Sequence, residues 1–417
     1  MLPTRAFARG ACAASLAASL AACSLLAGPW KQHVKPAPPP PPPAPPPAAL
    51  PLATYKFELD PGEDVVGRVQ LTTVGKDDTL TDIARRFNVG YEEIARANPG
   101  IDVWLPGAGR EVVVPTQFVL PDAPHVGVVI NIAAMRLYYF PPRKPGEKQI
   151  VYTHPIGIGR VGWRTPEGVT RIVRREKDPV WRVPPSILKE HHEEGDDLPA
   201  VVGPGPDNPL GRHAFYLAWP GYLIHGTNKP AGVGLRVSHG CIHLYPEDIA
   251  SLFDLIPIGT TVRVVNQPFV FGWHEGELYM QAYGSLEDDP RNWHKARQRL
   301  LARVLGRRID ETLARSGEQV DWGLVGALAD KPRGVPVAVT QSGASVAQVL
   351  ASALKVQDVL PAGATWDGKL DAPMDEKTFR EILSEGPQHT DTGDASSRAT
   401  SESSPAPGSA PARKSGS

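Results

Sequence analysis

Cys241 stands in the run Ser238-His239-Gly240-Cys241-Ile242-His243-Leu244, downstream of His225-Gly226-Thr227-Asn228. A thiol attacks carbonyl carbon as the thiolate, and histidine is the side chain best suited to take its proton near neutral pH. If residues 222–225 end one strand and Cys241 begins the next, the Gly- and Pro-containing loop between them brings the two side chains within hydrogen-bond reach. On this reading His225 takes the thiol proton, and the thiolate–imidazolium pair lowers the cysteine pKa from about 8.5 to roughly 4 to 7. Gly240 has no side chain to keep an acyl substrate from the sulfur. The N–H groups of Gly240 and Cys241 are placed to face a developing oxyanion, worth about 3 to 4 kcal/mol per donor in other enzymes. The chemistry is acyl transfer or hydrolysis through a thioester.

The cysteine count supports a reactive role. The chain holds three cysteines in 417 residues. Two of them, Cys12 and Cys23, fall in an N-terminal segment that reads as an export signal. Arg5 and Arg9 charge its start, and residues 11–22 form a small-residue apolar run too short to span a bilayer comfortably. The run ends Leu20-Ala21-Ala22-Cys23, which resembles a bacterial lipobox. That resemblance implies cleavage before Cys23, acylation of its sulfur and, with Ser24 next, sorting to the outer membrane. An ordinary signal peptide is the alternative. Cys241 is then the thiol left over in an oxidising compartment, either buried and inert or kept for reaction. A net charge of −1 gives no electrostatic case for a nucleic-acid partner.

Around this centre the chain divides into segments. A signal at 1–22 is followed by a lipid-anchored, Pro-rich linker at 23–55, whose proline–alanine tract is an extended spacer of about 3 Å per residue. Residues 70–118 carry a strand, two short helices and a closing strand. Asp77-Asp78-Thr79 gives the N-cap signal, Leu80, Ile83, Ala84 and Phe87 the helical spacing, 91–97 the second helix and 111–115 the last strand. Residues 125–266 hold short β-rich runs at 126–132, 137–140, 150–156, 170–174, 215–217 and 261–265, with one helix at 246–255 started by Pro246, Glu247 and Asp248. The fold class is mainly β, or α+β: a mostly antiparallel sandwich domain with a small βααβ module. Residues 184–210, rich in Pro, Gly, His and acids, read as a long loop that walls the site. Residues 267–386 form an additional α-containing unit with a hairpin at 269–282 turning near Glu275-Gly276, and helices at 292–314 and 346–356. From 387 the composition predicts disorder.

His225-Gly226-Thr227 with Ser238-His239-Gly240-Cys241-Ile242 resembles the signature of L,D-transpeptidases of the YkuD family. Pro155-Ile156-Gly157-Ile158-Gly159, Thr165-Pro166-Glu167-Gly168 and Pro206-Asp207-Asn208-Pro209-Leu210-Gly211 extend the match. The 70–118 module resembles LysM through Asp78-Thr79-Leu80, Ile83-Ala84, Phe87, Ile94, Ala97-Asn98-Pro99 and the Leu105-Pro106-Gly107 turn. Together they resemble the periplasmic ErfK/YbiS branch. The resemblance implies that Cys241 attacks the diaminopimelate carbonyl of a peptidoglycan tetrapeptide stem, releases D-alanine and passes the acyl group to an amine. It makes His225 the general base and acid, oriented by the Gly226 backbone carbonyl. His239 and Gly240 then shape the oxyanion site, and Ser238, Thr227, Asn228, Arg236 and His243 contact substrate. The family usually has arginine where His243 stands, and histidine cannot grip a carboxylate in the same way; Arg236 is the candidate to compensate. No cofactor or metal enters this reading. The implied partners are peptidoglycan stems, N-acetylglucosamine glycan at the LysM-like module, the membrane through the lipid, and a stem peptide, a Braun-type lipoprotein or a D-amino acid as acceptor.

Three other readings remain open on residues alone. A cysteine hydrolase of the same fold would use water as acceptor. A non-catalytic wall tether would hold glycan and lipid around a dead centre. A zinc site would gather His239, Cys241 and His243 on one strand face with His225.

Overall fold

The computed structural model describes residues 48–195, 197–340, 343–369 and Arg380. The expected signal peptide, Cys23, most of the Pro-rich spacer and the expected disordered tail lie outside these residues. Among the described residues no helix is long and apolar enough to cross a membrane.

A nine-stranded mixed sheet organises the chain. Its strands, in chain order, are β1 (Lys56–Leu59), β2 (Gly127–Asn131), β3 (Arg136–Phe140), β4 (Gln149–Pro155), β5 (Gly168–Lys177), β6 (His213–Leu217), β7 (Leu223–His225), β8 (Ile242–His243) and β9 (Thr261–Val265). They lie in the order β1-β4-β3-β2-β9-β5-β6-β7-β8. Pairing is antiparallel throughout except at β2–β9 and β7–β8, which are parallel. β2 and β3 are buried on both faces, which is why they read as nearly continuous apolar runs rather than alternating ones.

On one face Val128, Ile130, Phe215, Ile224, Ile242 and Val264 pack with Ile249 and Leu252 of the helix Pro246–Leu255. On the other, Val129, Tyr138, Phe140 and Val151 pack with Val66, Phe118 and Leu120. Val66 and Phe118 belong to a second, two-stranded sheet, Val65–Gly67 with Gln117–Val119, so the core is a sheet-on-sheet sandwich.

The βααβ module pairs Gln70–Thr73 antiparallel with Glu111–Val114 and places α1 (Leu80–Arg86) and α2 (Tyr91–Ala97) between them. Thr79 caps α1 in a reciprocal box with Asp82, and Leu80, Ile83, Ala84, Phe87 and Ile94 form its core. In the C-terminal segment the strands Phe269–His274 and Glu277–Ala282 pair through a two-residue turn. Glu275 and Gly276 there have φ of 49° and 84°, the conformation a tight hairpin requires.

Two expected elements differ. Residues 184–210 are not a loop throughout. They contain α3 (Pro185–Glu194), started by Pro185 and ended by Gly195 at φ 80°, and the strand Val201–Val202, which pairs with Trp181–Arg182 just ahead of the segment. The helix expected over 346–356 stops at Ala351, and Leu354–Lys355 adds a parallel strand beside Gln70–Thr73. Burial of Val356 in the module's core outweighs the local helical pattern there.

The module is joined to the sandwich by buried polar contacts. Arg136 of β3 is 0% exposed and grips Glu93 of α2 bidentately, Nε to Oε1 at 2.7 Å and Nη2 to Oε2 at 2.8 Å. Its remaining donors reach Asn88 O at 2.8 Å and Thr153 Oγ1 at 3.2 Å. Asn88 Nδ2 donates to Asp248 Oδ1 at 2.7 Å, and Arg85 pairs with Glu247 at 2.8 Å. Removing one member of a buried ion pair strands the other charge. Glu93→Ala is therefore expected to cost about 3 to 5 kcal/mol of unfolding free energy, read by chemical denaturation. Glu93→Leu combined with Arg136→Met should cost less than Glu93→Ala alone; a larger loss in the double variant would contradict this account.

Candidate active site

The parallel join of β7 to β8 builds the site. Ile224 lies opposite Ile242 and His225 opposite His243. Both isoleucines point into the sandwich core, so alternation sends His225, His243 and the preceding Cys241 to the other face. The rings of His225 and His243 are 6.1 Å apart. The sulfur of Cys241 receives the Leu223 N–H and reaches the Gly221 carbonyl oxygen at 3.6 Å.

The tautomer of His225 follows from its partner. Its Nδ1 lies 2.6 Å from the Gly226 carbonyl oxygen, which can only accept, so Nδ1 carries the proton and neutral Nε2 keeps its lone pair. By the same argument His243 donates from Nε2 to Gly232 O at 3.1 Å. His243 is buried over Gly157, where a Cβ would lie 2.0 Å from the imidazole, so only glycine fits beneath that ring.

Burial shifts both groups away from the ion pair expected on sequence. Burial pushes the Cys241 thiol up to about 11, against a smaller pull from the Leu223 N–H. Burial first, then the neighbouring His243, pushes His225 down to about 3, although its bond to Gly226 opposes this. Burial likewise takes His243 down to about 4. Burial thus favours the neutral form of both the thiol and the imidazole.

The segment before the cysteine is held by its own hydrogen bonds. Ser238 Oγ donates to Cys241 O at 2.5 Å and accepts the Gly240 N–H at 3.2 Å. Gly240 has φ of 102° and packs under Tyr222, 3.0 Å from where a Cβ would sit. Its carbonyl accepts from Thr165 Oγ1 at 3.0 Å, and that hydroxyl accepts the Gly159 N–H at 3.0 Å. Thr227 is buried and accepts the Lys229 N–H, while Asn228 is exposed at the end of β7. Arg236 is engaged by Asp288 at 2.9 Å and by Gly159 O at 3.2 Å.

His239 leads to residues the sequence did not single out. Its Nε2 donates to Glu190 Oε2 at 2.6 Å, and Glu190 Oε1 accepts from Arg160. The indole of Trp163 meets the His239 ring edge-on at 4.8 Å. The sequence signals for Glu190 were the caps of its helix, Pro185 and Gly195; nothing local linked it to His239. Among the described residues no group of three or more His, Cys, Asp or Glu side chains is placed to hold a metal.

Comparison with known proteins fits this geometry. Residues 125–264 match the model of the L,D-transpeptidase catalytic domain, YkuD, and residues 72–115 match the LysM domain. These matches place the protein in the class of cysteine-dependent acyltransferases built on the YkuD fold. The chain is 36% identical to the probable L,D-transpeptidase ErfK/SrfK of Escherichia coli over 283 residues, 67% of this chain and 88% of that protein. It is 41% identical to the probable L,D-transpeptidase YcfS (58% and 78%) and 42% identical to the probable L,D-transpeptidase YbiS (56% and 76%), both of Escherichia coli. The chain belongs to the L,D-transpeptidase family. Its two domain types imply peptidoglycan as ligand and as substrate.

A neutral resting thiol has a kinetic signature. Because the folded pKa is raised, the thiolate fraction is small at neutral pH and grows about tenfold per pH unit toward about 11. Alkylation of Cys241 by iodoacetamide in the free enzyme should therefore climb steadily from pH 7 to 10. A rate already level below pH 7 would mean a resting ion pair instead.

Proposed function

We propose that Cys241 is the nucleophile and His225 the general base and acid of this L,D-transpeptidase, with the Gly226 carbonyl fixing the imidazole. The observation that carries the assignment is the 2.6 Å bond from His225 Nδ1 to Gly226 O on the strand paired with the cysteine segment. It leaves Nε2 unprotonated on the face shared with the thiol, and the low His225 pKa keeps it so at neutral pH.

Attack on the diaminopimelate carbonyl of a tetrapeptide stem proceeds with transfer of the thiol proton to Nε2. The developing oxyanion meets the Cys241 N–H, since the Gly240 N–H is bonded to Ser238 Oγ. Collapse breaks the amide bond, Nε2 returns the proton to the departing amine, and D-alanine leaves a thioester on sulfur. An acceptor amine then attacks that thioester, gives its proton to Nε2 and restores the thiol. Acceptors that suit this step are a neighbouring stem, giving a 3–3 cross-link, the terminal lysine of a Braun-type lipoprotein, or a D-amino acid. The LysM module holds N-acetylglucosamine glycan, and Thr227, Asn228, Arg236 and His243 line or support the donor side. The enzyme works in the periplasm, tied by lipid on Cys23 to the outer membrane.

Incubating the purified protein with a disaccharide-tetrapeptide, with and without an acceptor amine, tests the proposal. D-Alanine release and a thioester mass on Cys241 are expected, with product formed only when amine is present. Product formed equally well with water alone would favour the hydrolase reading. A carbapenem should add its mass to the wild type and not to Cys241→Ser. His225→Ala should fold normally and lose about 10²- to 10⁴-fold in turnover. Full activity of Cys241→Ala would eliminate the mechanism, whereas an inactive wild type whose cellular phenotype is unchanged by Cys241→Ala would favour a tether.

A further inference from the structure

The acyl-transfer roles leave an ion cluster beside the nucleophile unused. Glu190 projects from α3 with one carboxylate oxygen on His239 Nε2 at 2.6 Å and the other on Arg160 Nη2. His239 is two residues from Cys241, and the Arg160 backbone N–H donates to Ser238 O at 2.9 Å, so both partners of Glu190 are tied to the cysteine segment. Arg160 is 9% exposed at its side chain, while Glu190 and His239 are each at 20%. Trp163 walls the cluster, with the Arg160 guanidinium 5.8 Å from its ring.

The arginine is only half used. Its Nη2 is occupied, but its Nε is buried with no hydrogen-bond partner. A carboxylate free to choose its pose takes Nε and Nη2 of arginine together. Glu190 is tied to α3 and divided between two partners, and it does not. α3 is also weakly held, with Ile187 its one buried residue among those described. Few buried apolar contacts make a segment easy to lift.

We propose that Arg160 and His239 form a carboxylate subsite for the acyl-donor peptide, and that Glu190 is an internal stand-in that leaves as the peptide binds. The inference rests on the functional reading above, because it names what that site recognises. Two carboxylates flank the scissile bond of the donor: the C-terminal one of D-alanine and the side-chain one of diaminopimelate. Either supplies the ligand chemistry. The subsite gives the enzyme a grip on negative charge at a place other than position 243. Binding of the right peptide is then linked to lifting of α3.

Binding and turnover are separated by measuring affinity in full-length protein carrying Cys241→Ala. The probes are the stem tetrapeptide, its C-terminal amide and its diaminopimelate carboxamide, titrated calorimetrically. Glu190→Gln should tighten the tetrapeptide by about tenfold, the size of one charge-assisted hydrogen bond, and Arg160→Gln should weaken it by a similar factor. One amide should bind more weakly than the tetrapeptide when Arg160 is present and equally when it is absent; which amide does so identifies the carboxylate. Arg160→Lys serves if Arg160→Gln does not fold, and should be intermediate. An unchanged or weaker affinity in Glu190→Gln, amides that never discriminate between Arg160 and its variants, or no binding in any variant would overturn the subsite. With Cys241 restored, tight tetrapeptide binding without a thioester would instead count against the catalytic reading alone.

Discussion

Strands β7 and β8 run parallel, so the chain between them cannot return as a hairpin and must cross to the other end of the strand pair. That crossing is the loop carrying Pro230–Gly232 and the strand Arg236–Ser238, which adds to Ile158–Gly159 before the cysteine is reached. The topology sets two conditions at once. It puts His225 and the cysteine segment on neighbouring strands with a shared outward face, and it leaves the intervening backbone to be supported from outside the sheet. The hydrogen bonds among Ser238, Gly240, Thr165 and Gly159 are that support. The glycines at 157, 159 and 240 occur where a Cβ would meet a ring or another backbone within 3.0 Å.

The electrostatics follow from the same enclosure. A thiolate–imidazolium pair needs solvent or opposite charge to balance both ions. Here the close neighbours of His225 are a carbonyl, which favours a cation less than burial disfavours it, and a second imidazole, which disfavours it further. A neutral pair carries no stored charge, and on the proposed mechanism the proton moves as the sulfur forms its bond to carbon. On the proposed mechanism the site is prepared by orientation, through the Gly226 carbonyl, rather than by a pre-ionised nucleophile. Cys241 still keeps partial exposure, which leaves an acyl donor a route to the sulfur.

The sequence was most readable where a short motif states its own geometry. The glycine and histidines around Cys241, the Thr79–Asp82 cap and the Glu275–Gly276 turn each depend on residues within a few positions. Contributions assembled from distant segments were hidden. The Glu190–His239–Arg160 cluster joins three stretches of chain, and Leu354–Lys355 becomes a strand only because Gln70–Thr73 offers it an edge. Protonation is hidden for a related reason: residue types suggest who exchanges a proton, but burial bears on where it rests.

The position of the LysM module bears on how such an enzyme samples a polymer. The first turn of α2 has N–H groups with no partner inside the helix. Two are taken by the catalytic loop, Tyr91 N to Val233 O at 3.2 Å and Glu92 N to Gly234 O at 3.3 Å. Gly234, at φ 87°, approaches so closely that a Cβ there would lie 2.2 Å from Tyr91 N. The loop that separates His225 from Cys241 is therefore shaped against the module, and the module cannot swing without disturbing it. A flexible tether would present the active site to every stem within its reach at a roughly uniform effective concentration. A fixed module presents it at one offset from the glycan it holds. On the proposed reading, stems at that offset are favoured and others excluded.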